Sequence, residues 1–127
     1  MLAVDTNVIV RYLTRDDVEQ FARASALIRN QDTFVCNTVL LETEWVLRRS
    51  YGYARERIIE ALQARAGLPR VTVEDSPRTA TALAWMADGM DFADALHLAG
   101  SAGCDAFMSF DRRFARLARR MDGAPTV

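Results

Sequence analysis

The chain contains no lysine. All sixteen of its basic residues are arginine, which biases its cationic contacts toward the planar, bidentate kind. A single histidine, His97, excludes any mechanism built on a histidine acid–base pair. Only two cysteines are present, Cys36 and Cys104. They lie far apart in apolar contexts and predict buried free thiols in a reducing cytosol, not a disulfide framework. No basic start runs into a long apolar stretch, so neither a signal peptide nor a membrane span is expected. Repeats, low-complexity tracts and linkers are absent too. The formal net charge is −1, which supplies no global field toward nucleic acid or membrane; any such binding must come from a local patch.

What is there is apolar material in regular order. Half of the 127 residues are hydrophobic, enough for one domain over 1–127 with a real core. Residues 2–5 read as a buried strand and 7–13 as a short helix. Phe21, Ala24, Leu27 and Ile28 recur at helical spacing over Val18–Asn30. A second strand is expected at 34–36. Asn37 or Thr38 then caps a helix with Leu41, Trp45 and Val46 on one face, stopping near Gly52. Further helices are expected at 54–66, from Ser76-Pro77 to Asp88-Gly89, over 91–102 and over 112–121, with strands at Val71–Val73 and 106–109. A last short strand near Thr126 is possible. Strands alternating with helices imply an α/β fold, a parallel sheet of four or five strands covered on both faces. In such sheets ligands bind beyond the carboxyl ends of the strands, where Asp5 and Asp111 fall.

Most of the acids fit plain surface positions, Glu19, Glu56, Glu60 and Glu74 among them. Four, Asp5, Glu42, Asp94 and Asp111, stand in less comfortable places. Asp5 ends an apolar strand, although it would also serve as a helix cap. Glu42 lies in "TVLLETEWVL" on or beside the expected buried face, whereas Glu44 points elsewhere and suits the surface. In "GMDFADALHLAG", Asp91 and Asp94 share a helix face, with Asp91 placed as N-cap and Asp94 at the third helical position. Small and apolar neighbours surround Asp94. Asp111, in "SFDRRF", again suits a cap. Two unit charges about 4 Å apart repel by roughly 4 kcal/mol at an effective dielectric near 20. A fold that gathers such acids must raise their pKa values or neutralise them with a cation. Oxygen ligands without a Cys or His cluster favour Mg²⁺ or Mn²⁺.

"AVDTNVIVRYL", "TVLLETEWVLRRSYG", "DFADALHLA" and "FMSFDRRF", in that order, resemble the PIN-domain family, and within it the VapC-type toxin ribonucleases of bacterial toxin–antitoxin pairs. The resemblance covers essentially the whole chain. It implies an α/β/α sandwich and a Mg²⁺- or Mn²⁺-dependent endoribonuclease in the cytoplasm. Carried over by motif, the acids are Asp5, Glu42, Asp94 and Asp111, with Asp91 a further metal ligand, direct or through water. Thr6, Asn7 and Ser109 fall where members place hydroxyl or amide groups beside the site. Cleavage by metal-activated water would leave a 5′-phosphate and a 3′-hydroxyl. RNA and a cognate antitoxin are the implied partners. Helices 8–13 and 54–66 carry apolar residues that could serve a homodimer or an antitoxin helix. "GAPTV" departs from the family's final strand.

Arg112, Arg116, Arg119 and Arg120 follow Asp111 in one stripe, either a solvated face or a phosphate-positioning one. His97, one turn after Asp94, suits packing better than catalysis. Competing readings are a PIN nuclease of RNA processing or quality control without an antitoxin, and a catalytically silent binding module. A phosphoacceptor receiver domain would want a lysine near the last strand, and this chain has none.

Overall fold

A computed structural model describes residues Met1–Val127, which fall into two compact units, Met1–Ser76 and Pro77–Val127.

The first unit opens with β1 (Leu2–Ala3), followed by α1 (Thr6–Thr14), α2 (Val18–Asn30), β2 (Thr33–Val35), α3 (Asn37–Arg49), α4 (Arg55–Ala66) and β3 (Val71–Val73). The strands form one parallel sheet in the order β1-β2-β3, with Leu2 opposite Thr33 and Phe34 opposite Thr72. Two helices fill each crossover, as parallel pairing requires. α1 packs on α2 and α3, α3 on α4, and α4 against β3. Val4, Ile9, Val10, Ile28, Val35, Leu40, Leu47, Ile58, Leu62 and Val73 are buried.

The first strand is shorter and more exposed than its sequence suggests. Leu2 and Ala3 are open to solvent, and only Val4, beyond the paired residues, is buried. The buried face of α3 also differs from expectation. It carries Leu40, Thr43, Glu44 and Leu47, while Trp45 is 51% exposed. Glu44, expected at the surface, is buried, and Glu42 is exposed. Glu44 tolerates burial because Arg48, one turn on, donates to it through Nε at 2.8 Å. Neither Asn37 nor Thr38 is the N-cap of α3. That position is Cys36, whose side chain makes no capping bond, and Glu74 accepts from the Asn37 N–H at 2.9 Å instead.

The second unit holds most of α5 (Ser76–Ala87), then α6 (Phe92–Ala99) and α7 (Arg112–Ala118). Gly89, at φ 112°, follows α5 in a conformation that L side chains rarely adopt. α6 ends at Ala99 with Gly100 as its C-cap, short of the expected end at 102. Residues 106–109 and the stretch around Thr126 are not strands, so the sheet has three strands and not four or five. The Phe107 N–H donates to the Thr126 carbonyl at 2.7 Å, one bond where a ladder needs a series. Phe107 packs edge-on against Phe114, but Met108 and Phe110 are fully open to solvent. Both cysteines are free, as expected, yet Cys36 is half-buried and Cys104 exposed.

Candidate active site

Three of the five candidate acids are helix caps. Asp5 is the N-cap of α1, its Oδ1 accepting from the Thr6 N–H at 2.8 Å. Asp91 caps α6 by accepting from the Asp94 N–H at 3.3 Å, the arrangement its spacing predicts. Asp111 caps α7, accepting from the Phe114 N–H at 3.0 Å. In each bond one carboxylate oxygen meets the helix N-terminus, and the second remains for another partner. Capping and ligand roles are therefore compatible.

In Met1–Ser76, Asp5 and Glu42 line one open cleft of about 420 Å³ with Thr6, Asn7, Arg11 and Tyr51. Glu42 reaches it from the exposed side of α3 and Asp5 from the start of α1. Thr6 is buried and its Oγ1 has no hydrogen-bond partner, a rare condition for a buried hydroxyl. Arg11 sits at the far end of α1, bonded to Asp16, Tyr51 and Gln20. The Tyr51 hydroxyl and the Thr14 hydroxyl hold the Asp16 carboxyl below its ordinary pKa.

In Pro77–Val127 one acid, Asp94, is partly withdrawn from solvent. Burial pushes the Asp94 carboxyl above its usual range, the charges of Asp91 and then Asp111 push it further, and His97 works against them. Asp94 is half-buried among Ala93, Ala95 and Phe92 along α6, while Asp91 and Asp111 are exposed. Ser109 Oγ accepts from the Asp111 N–H at 3.1 Å and fixes the turn that presents this acid. His97 is exposed on the same helix. Of the arginine stripe, Arg112 and Arg116 lie in α7; Arg119 is its C-cap and Arg120 lies beyond. All four are exposed.

A model of the PIN domain matches residues 2–120. The chain belongs to the PIN-domain family. Curated proteins give no match to it. PIN domains are in general nucleases that use divalent metal ions, and the donors of this one suit a hard cation: carboxylates, a hydroxyl without a partner, no thiol. No three Asp, Glu, His or Cys side chains gather closely enough to hold a metal. No helix of this PIN domain is long and apolar enough to cross a membrane. Sequence reasoning missed Arg11, Asp16 and Tyr51. Only the Arg11–Asp16 pair is close in sequence; Tyr51 joins it across 35 residues from Asp16.

Proposed function

We propose that this PIN domain is a metal-dependent endoribonuclease, the toxin of a VapC-type pair, acting as a single domain over 1–127. Asp5, Glu42, Asp94 and Asp111 are the acids its reaction needs, and Asp91 assists them. The observation that carries this reading is the open cleft at the start of α1 that Asp5 and Glu42 share, in a chain whose match to the PIN domain spans residues 2–120. Carboxylates with no arginine paired to them suit a cationic partner.

A bound Mg²⁺ or Mn²⁺ would lower the pKa of water and stabilise charge developing on the phosphoryl oxygens. The protein's part is to hold and orient. Asp5 and Glu42 present oxygens to the cleft, and the Thr6 hydroxyl lies buried beside them without a partner. Asp94 must lose its proton before it can act as a ligand, so cation affinity should rise with pH through the raised range of this acid. Asn7, which lines the cleft, would donate to a substrate oxygen. Arg112, Arg116, Arg119 and Arg120 would neutralise backbone phosphates. RNA, a cognate antitoxin and a second copy of the chain are the proposed partners, in the cytoplasm.

The test is to incubate purified protein with structured RNAs, with and without Mn²⁺, and to sequence the cut ends. Internal cuts bearing 5′-phosphates only in the presence of the metal are expected. Intact RNA under all conditions would return the protein to a silent binding module.

A further inference from the structure

The cleft that holds Asp5 and Glu42 is a poor place for a polyanion unless cations lie beside it, and a net charge of −1 gives no long-range help. Arg11 lines the same cleft yet pairs with neither acid. Its Nε donates to Gln20 Oε1 at 2.7 Å, and its Nη1 donates to the Tyr51 hydroxyl at 2.9 Å and to Asp16 at 3.3 Å. Nη2 has no partner. Asp16 is 42% exposed at its side chain, so this surface pair positions the guanidinium more than it quenches its charge. Arg11 follows Asp5 by six positions, about 9 Å along the helix axis at 1.5 Å per residue.

Beyond Arg11 the row continues. The Tyr51 ring meets Tyr53 edge-on at 6.1 Å, and the Arg57 guanidinium lies 3.7 Å over the Tyr53 ring. Arg57 is exposed and has no carboxylate partner. A guanidinium stacked on an aromatic face keeps its edge N–H groups free for phosphate. Two arginines are thus held ready by their neighbours, which reduces the rotamer freedom lost on binding.

We propose that Arg11, Tyr51, Tyr53 and Arg57 form a backbone subsite for single-stranded RNA flanking the cut. Arg11 takes one phosphate through Nη2, and Arg57 takes another farther along the strand. Tyr51 positions Arg11. The proposal rests on the ribonuclease reading above.

The experiment measures binding of a labelled oligouridine across salt concentrations, without divalent cation, with melting curves for every variant. Each phosphate contact on a single strand contributes about −0.7 to the slope of log K against log salt. Arg11→Gln and Arg57→Gln should each make the slope shallower by about 0.7. Tyr51→Phe should weaken binding while keeping the slope, because the charge remains and its positioning is lost. If Arg11→Gln does not fold, Arg57→Gln and Tyr51→Phe decide. A wild-type protein that cuts RNA with Mn²⁺, while the variants keep the wild-type slope, overturns the subsite alone. A protein that neither binds nor cuts RNA overturns the ribonuclease reading with it. Loss of polyglutamate binding in the variants, with RNA binding intact, would assign the row to an acidic protein partner and overturn the proposal.

Discussion

The acids of Met1–Ser76 and those of Pro77–Val127 live under different electrostatic conditions. Asp5 and Glu42 face an open cleft whose wall includes a hydroxyl, an amide and an arginine. Among Asp91, Asp94 and Asp111 only Asp94 is half-buried, and that burial, helped by the charges of the other two, raises its pKa. Asp5 and Glu42 are both exposed, whereas the second region holds one acid partly out of solvent. Substitutions in the two regions should therefore separate activity from stability in different ways.

The largest effect is expected at Asp94. Asp94→Asn should lower Mn²⁺-dependent RNA cleavage by at least about a hundredfold, more than the 10–100-fold typical of groups that only support a metal ligand. Asp91→Asn should do much less, because asparagine keeps the cap on α6. Initial cleavage rates on one RNA compare them directly. An inactive Asp91 variant beside a near-normal Asp94 variant would invert the two roles.

Next comes a contrast inside α3. Glu44→Ala should destabilise the protein by about 1–3 kcal/mol, the worth of a hydrogen bond to a charged group lost from a buried site. Glu42→Gln should leave the melting temperature within a degree or two and cut activity. Denaturant melts and cleavage rates on both variants settle it. Equal stability losses would mean that Glu42 is structural too.

A smaller effect concerns pH. Asp94 binds its proton more tightly folded than unfolded, so the native state holds more protons between the ordinary value of about 3.9 and the raised one. Stability from this group is present at lower pH and is lost as pH rises through the folded value. Without metal, Asp94→Asn should therefore be slightly more stable than wild type at pH 7, and the gain should vanish below about pH 4. A variant less stable than wild type at pH 7 would argue that the Asp94 charge has a stabilising partner.

Much of this was legible in the residues because it is local. The bounds of α2 and β3 follow from apolar spacing and flanking turns, and the Asp91–Asp94 cap follows from a separation of three. The face of α3 was not. Residues 39–47 carry apolar side chains on more than one side, and the charge of Glu44 hides its burial until its bond to Arg48 is seen. Glu74 capping α3 spans 37 residues, a distance no local pattern encodes. The expected fourth strand failed for a related reason. An apolar run such as Phe107–Met108 shows strand character only when a neighbour supplies a ladder, and here one bond to Thr126 is made. Of the candidate site, the cap roles of Asp5 and Asp111 were readable, and the burial that, with neighbouring charge, lifts Asp94 needed the folded chain.

The most direct measurement is the melting temperature with and without Mn²⁺ at constant ionic strength. At a hundred times its dissociation constant, a cation that binds only the folded chain adds about 2.7 kcal/mol, which should raise the wild-type melting temperature by several degrees. Asp5→Asn, which keeps an oxygen to cap α1, and Asp94→Asn should each lose most of that rise. A wild-type melting temperature indifferent to Mn²⁺, or variants that keep the full rise, would contradict the account.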